Sequence, residues 1–286
     1  IARIFNISPL IIGLLIFGFG TSAPEMLVSG LAAFDGHPEL SVGNAFGSNI
    51  FNIGLVLGVT AIILPISVDK LVLKKEWLFL FLSTLVAGAL LLDQYLSFND
   101  GLILLSLLLL FLYYVYTESK KNNPNNLDNI DDGLKNEKKS KIWFLLILSL
   151  IILVSSARLV VWGGTSLALE FGISDLIIGL TVVALGTSLP ELAVSVSSAL
   201  KKQHQMVIGN IIGSNLFNTL GVLAIPGLIL PFQIPGEVMS RDFINMIILT
   251  LLIVLLAVIF KFKINRFGGF ILLFMLGTYL YQLLWI

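Results

Sequence analysis

Three features of the sequence predict an all-α polytopic membrane protein folded as an inverted-repeat bundle. Of its 286 residues, 57% are hydrophobic and only 12% charged, about half the charged share of a soluble domain, and the mean hydropathy is +1.00. Apolar runs of bilayer-spanning length recur from end to end. One block of sequence occurs twice, 166 positions apart, with an odd number of spans separating the copies.

A bilayer core of about 30 Å takes roughly 20 apolar residues per helix, and lipid tolerates little else as a spanning structure. Runs of that kind, broken by charged or turn-rich residues, cover 10–33, 40–64, 76–93, 101–117, 142–168, 175–200, 206–231, 242–260 and 267–285, which makes nine transmembrane helices. Between the fourth and fifth lies a segment without apolar periodicity, 118–141, where Asn122, Asn123, Pro124 and Gly133 stand among mixed charges; it reads as a solvated linker. Trp77, Trp143, Trp162, Trp285 and the tyrosines at 113, 114 and 116 read as interface anchors. Arg158 reads as a snorkelling or paired residue, and His37 and His204 as solvated.

Basic residues sort by side. Connections after the second, fourth, sixth and eighth spans hold Lys70, Lys74, Lys75, Lys120, Lys121, Lys135, Lys138, Lys139, Lys141, Lys201, Lys202, Lys261, Lys263 and Arg266, and Arg3 joins them ahead of the first span. The opposite side carries Asp35, Glu39, Asp93, Asp100, Glu170, Asp175, Glu237 and Asp242, with Arg241 as its only basic residue. By the positive-inside rule the 118–141 linker is cytoplasmic and the C-terminus outside.

The internal repeat aligns Ile7–Pro65 with Ile173–Pro231 without a gap, and 27 of the 59 pairs are identical. The copies occupy spans 1–2 and 6–7. Equivalent spans stand five helices apart, an odd number, so the copies enter the membrane from opposite sides, as in secondary transporters whose site lies at the midplane. A full helix, 142–168, precedes the second copy, and its counterpart would end before Ile1. The opening residues carry no signal-peptide pattern. The expectation is ten helices in the intact chain, with a first repeat over 1–117, the linker over 118–141 and a second repeat over 142–286.

The most concentrated identities are Gly20-Thr21-Ser22-Ala23-Pro24-Glu25 and Gly186-Thr187-Ser188-Leu189-Pro190-Glu191. An uncompensated charge in an apolar span costs roughly 3 kcal/mol or more. Gly18, Gly20 and Pro24 weaken helical hydrogen bonding around Thr21, which predicts a helix break with free carbonyls near Gly18 and Thr21. Glu25 lies one turn beyond, so carboxylate, hydroxyl and backbone oxygens converge. Ala184, Thr187, Ser188 and Glu191 repeat the arrangement. Such an all-oxygen set suits hard cations, calcium in particular.

A second stripe places Asn44, Ser48 and Asn52, and again Asn210, Ser214 and Asn218, at intervals of four on one helix face, where their oxygens can complete coordination. Gly43, Gly47, Gly209 and Gly213 leave that face narrow for close packing. Helix packing alone does not require amides in lipid. Ser22-Ala23-Pro24-Glu25 also fits a capping box, a geometry that would aim the glutamate. With two carboxylates, the site matches one divalent ion or two to three monovalent ions.

These paired motifs resemble the two α-repeats of the sodium/calcium exchangers in the cation/calcium antiporter superfamily. The resemblance implies ten helices with a cytoplasmic loop between the halves, and calcium binding by Glu25 and Glu191. It further implies that Thr21, Ser22, Ser48 and Asn52, with Thr187, Ser188 and Ser214, bind sodium or calcium, and that the Gly18 and Ala184 carbonyls line outer sodium sites. Asn218, counted with the ligand set, stands where family members often have an aspartate, which leaves sodium and protons both open as counter-ion.

The expected function is therefore inner-membrane antiport of calcium against sodium by alternating access, with the bilayer, calcium and sodium as partners, no cofactor and no protein partner. Two glutamates close together at low dielectric repel and tend to share a proton, so an empty site crosses poorly. The alternatives are a calcium/proton exchanger and, more distantly, a cation channel. A net charge of zero argues against nucleic acid. No nucleophile–base set, His-rich metal motif or cofactor fingerprint suggests an enzyme, and the absence of cysteine rules out disulfides.

Overall fold

The computed structural model describes residues 8–121 and 139–285. Most of the expected linker, Arg3, and the side chains of Arg158 and Trp285 lie outside the described residues. Among the described residues nine long helices follow one another: α1 (Pro9–Phe34), α2 (Pro38–Ile63), α3 (Glu76–Leu90), α4 (Phe98–Lys121), α5 (Lys139–Glu170), α6 (Asp175–Leu200), α7 (His204–Ile229), α8 (Val238–Ile259) and α9 (Arg266–Trp285). Six of them (α1, α2, α4, α6, α7 and α8) are long and apolar enough to cross a membrane by length and composition.

The two copies begin and end their helices by the same local chemistry. Ser8 and Ser174 stand immediately before α1 and α6, and each hydroxyl accepts from the N–H three residues on, at 3.3 and 3.4 Å. Both helices close with a C-terminal turn in which Gly36 (φ +86°) and its mate Lys202 (φ +57°) occupy the left-handed region. His37 N–H reaches the Ala32 carbonyl at 2.8 Å, and Gln203 N–H reaches Ser198 at 2.9 Å. α2 and α7 each stop at a leucine, Leu64 or Leu230, which is pushed out of helical geometry by the following Pro65 or Pro231.

α2 and α7 are the central helices, 78% and 89% buried over their apolar windows. Each packs on the first helix of the other repeat. A Cβ on Gly43 of α2 would lie 3.0 Å from the Gly179 Cα of α6, and a Cβ on Gly13 of α1 would lie 2.9 Å from the Gly209 Cα of α7. The backbones therefore touch, as the small-residue stripe predicted.

Two short antiparallel ribbons join the repeats. β1 (Ile66–Ser67), after α2, pairs with β4 (Lys263–Ile264), after α8. β2 (Tyr95–Leu96), after α3, pairs with β3 (Phe232–Gln233), after α7. One ribbon joins connections after even-numbered helices and the other joins connections after odd-numbered ones, so each ribbon stays on one side of the membrane.

The helix geometry departs from expectation at the motif. Gly18–Phe34 is one continuous α-helix that runs through Pro24. The irregularity comes one turn earlier, as a π-helical stretch over Ile12–Phe17, matched by Gly179–Val183 in α6. Two more open at Asn52 and Asn218. π-helical turns inside α-helices favour functional sites. Only α6 breaks within its motif, at Ser188 (φ −81°, ψ −3°).

Candidate ion-binding site

At the crossing of α1, α2, α6 and α7 the structure brings together residues that lie far apart in sequence. Glu25 and Glu191 are both 0% exposed, as are Thr21, Thr187, Ser48, Ser214, Asn52 and Asn218. The two carboxylates are near enough to repel each other. The Thr187 hydroxyl lies toward Glu25, and those of Thr21 and Ser214 toward Glu191. Hydroxyls also meet across the repeats: Thr21 Oγ1 stands 3.3 Å from Ser214 Oγ, and Ser48 Oγ stands 3.3 Å from Thr187 Oγ1.

What distinguishes the site is how many of its oxygens have no donor. All four carboxylate oxygens of Glu25 and Glu191 lack a hydrogen-bond partner, and so do Ser22 Oγ, Ser188 Oγ, Asn52 Oδ1 and Asn218 Oδ1. Each threonine has a carbonyl of its own helix as the nearest acceptor for its single proton, Thr21 the Phe17 carbonyl at 2.7 Å and Thr187 the Val183 carbonyl at 3.0 Å, with Asn44 Oδ1 also 3.3 Å from Thr187 Oγ1. That leaves their lone pairs available. Buried oxygens without donors are costly, and a cation coordinated by them removes that cost.

Asp242 supplies the contrast. It is equally buried, but its oxygens accept from Arg241 Nε at 2.7 Å, Arg241 Nη2 at 3.1 Å and Tyr279 OH at 2.9 Å. Its charge is balanced by the protein, whereas those of Glu25 and Glu191 are not. Among the described residues no group of three or more His, Cys, Asp and Glu side chains gathers to hold a metal. The donor set is two carboxylates surrounded by hydroxyls and amides.

Several expectations change. The capping box does not form: Ser22 lies inside a continuous helix, and neither its hydroxyl nor that of Ser188 bonds to anything. The Ala184 carbonyl accepts the Ser188 N–H at 3.0 Å. His204 is partly buried, with an unpartnered Nδ1, while His37 is exposed but bonded to Asp175 at 2.6 Å. Trp77 is tied into the helix bundle, since its Nε1 donates to the Thr250 carbonyl at 2.9 Å between α3 and α8.

Sequence reasoning also missed a supporting layer. Ser29 and Ser195 are buried acceptors for Asn44 and Asn210. Asn215 orients Asn52 by accepting its amide at 3.1 Å, and Asn49 donates to Thr219 at 2.8 Å. Ser29 and Ser195 are identical under the repeat offset and lie one turn beyond each glutamate, the signal that could have found them.

Residues 1–117 and 141–285 match the family described as sodium/calcium exchanger protein. A relative named putative antiporter CaxA, from Alkalimonas amylolytica, is 42% identical over 99% of this chain and 90% of its own. Sodium/calcium exchanger MaX1 from Methanosarcina acetivorans is 31% identical over 100% of this chain and 92% of its own. A solved structure of the sodium-calcium exchanger NCX_Mj, soaked with 2.5 mM Na+ and 10 mM Sr2+, superimposes with a TM-score of 0.78 at 37% identity, covering 98% of this chain and 89% of that one.

Proposed function

The chain belongs to the sodium/calcium exchanger protein family, a family of membrane cation/calcium antiporters, and on that premise we propose that it exchanges calcium for sodium at the site between α1, α2, α6 and α7. The observation that carries this reading is the set of four partnerless carboxylate oxygens on Glu25 and Glu191. Together they neutralise one calcium ion, with the Thr21 and Thr187 oxygens completing the approach. Calcium takes about 6–8 oxygens. Sodium ions take the same carboxylates with Ser22, Ser188, Ser48, Ser214, Asn52 and Asn218, and with the Gly18 and Ala184 carbonyls where they open.

Exchange rather than leak follows from electrostatics. An empty site holds two glutamates in a low-dielectric interior, and that state crosses poorly. A loaded site is neutralised and crosses. The ribbons hold α2, α3, α7 and α8 as a frame, and α5, which lies outside both ribbons, is the element that moves to open the site to either side. We place the chain in the inner cell membrane, with the 118–141 linker cytoplasmic and the C-terminus outside, on the asymmetry of its basic residues.

Reconstituted vesicles test this. An inward calcium flux driven by an outward sodium gradient is expected from the wild type, and none from Glu25→Gln or Glu191→Gln. If either variant kept the wild-type rate, the two glutamates would not form one site. A flux that follows a pH gradient in the absence of sodium would assign protons as the counter-ion instead.

A further inference from the structure

We propose that Asn44 and Asn210 are positioning residues that fix the backbone of the two glutamate-bearing turns and thereby set the distance between the carboxylates. The proposal deepens the functional reading above, since it rests on Glu25 and Glu191 as the calcium pair.

The geometry occurs twice. Asn44 Nδ2 donates to the Glu25 backbone carbonyl at 3.2 Å and to Ser29 Oγ at 3.0 Å. Asn210 Nδ2 donates to the Glu191 backbone carbonyl at 3.2 Å and to Ser195 Oγ at 3.0 Å. All four polar side chains, Asn44, Asn210, Ser29 and Ser195, are 0% exposed. An amide nitrogen carries two protons, and in each copy both have an acceptor. The amide is thus fixed in orientation, because turning it over would set its oxygen against the glutamate carbonyl.

The consequence concerns position rather than coordination. A helical carbonyl already accepts one backbone N–H, and here its second lone pair takes a donor from the neighbouring helix. Glu25 in α1 is thereby tied to α2 at the residue that carries the carboxylate, and Glu191 in α6 is tied to α7 in the same way. α1 also contacts α7, and α6 contacts α2, through the touching glycines. The two ties and the two backbone contacts close a ring of four helices around the site. An apolar side chain of asparagine's size would fill the same space but could not donate. The remaining oxygen of Asn44 stands 3.3 Å from both Ser48 Oγ and Thr187 Oγ1 and can accept from either, and that of Asn210 has no partner.

A divalent ion that needs both carboxylates at once is more sensitive to their spacing than a monovalent ion that shares them. Loss of a tie therefore raises the apparent KM for calcium about tenfold, within the range usual for residues that orient metal ligands. It leaves the half-saturation for sodium and the maximal rate within about threefold, and this split separates positioning from general damage.

The test uses the full chain in vesicles, with calcium and sodium titrated separately for the wild type, Asn44→Leu, Asn210→Leu, Ser29→Ala, Ser195→Ala and Glu191→Gln. The serine variants remove only one acceptor of each amide and carry the test if the leucine variants do not fold; an increase in calcium KM smaller than that of the leucine variants is expected from them. If the wild type transports calcium and Glu191→Gln does not, while the asparagine and serine variants keep the wild-type calcium KM, the positioning role is refuted and the functional reading stands. If the wild type fails to transport calcium, the functional reading falls and takes this inference with it.

Discussion

Burying a carboxylate among membrane-spanning helices costs several kcal/mol unless something offsets the charge, and this chain does it in two ways. Asp242 is bonded by Arg241 and Tyr279, so its contribution lies within the fold. Glu25 and Glu191 have no protein donor on any oxygen, so their compensation comes from outside the chain. The two kinds should respond oppositely to neutralisation. Asp242→Asn leaves Arg241 without its counter-charge and should destabilise the protein by about 2 kcal/mol, lowering the midpoint of thermal unfolding in detergent while the calcium KM of the folded fraction stays at the wild-type value. Glu25→Gln should do the reverse, removing calcium transport with no loss of stability. Reading the sequence alone placed the glutamates in apolar spans but counted Asp242 with the acidic residues of the opposite side, and so missed its burial, because Asp242 finds Tyr279 on another helix, 37 residues away.

Helices were the most legible elements, and their interiors the least. Every apolar run became a helix, with ends displaced by a few residues, because length and hydrophobicity alone decide what spans a bilayer. The π-helical stretches at Ile12–Phe17 and Gly179–Val183 were not legible. Their residues are ordinary helix-compatible ones, and the glycine and proline pattern pointed one turn too late. The C-terminal turns of α1 and α6 show how far repeat identity carries. Gly36 and Lys202 occupy equivalent left-handed positions, although only glycine adopts that conformation without strain. A Cβ at Gly36 would meet nothing within 4 Å, so the strain there is purely a matter of backbone. Gly36→Ala should destabilise by about 1 kcal/mol and Lys202→Gly should stabilise by up to about as much, read from thermal unfolding in detergent. Equal and opposite shifts would confirm that both helices end by one mechanism, and a neutral Lys202→Gly would show that lysine is held there by something other than the turn.

At the scale of the whole molecule the question is which parts stay together while the site changes sides. The inverted repeat, legible from 27 identities in 59 pairs, allows two motions: one repeat rocking against the other, or a peripheral helix sliding over a frame built from both. The ribbons bear on the choice, since each joins the two repeats. They were not legible in the sequence, being two residues per strand and non-local. Rocking of one repeat against the other would load the ribbons that join them, whereas sliding of α5 would leave both untouched. Because the chain has no cysteine, the two motions can be separated by cross-linking. Ser67 faces Lys263, and Tyr95 faces Gln233. Both pairs are flanked by hydrogen-bonded neighbours, Val68 N–H to the Phe262 carbonyl at 2.9 Å and Ile234 N–H to the Gln94 carbonyl at 2.7 Å. They are therefore the closer kind of antiparallel pair, with Cα atoms about 4.5 Å apart, within disulfide range. Oxidising Ser67→Cys with Lys263→Cys, or Tyr95→Cys with Gln233→Cys, should leave sodium-driven calcium flux within about twofold of the reduced protein if the frame is rigid, since a disulfide that fits native geometry adds little strain. Loss of flux on oxidation, restored by reductant, would mean that the repeats separate at that ribbon during transport and that the frame itself rocks.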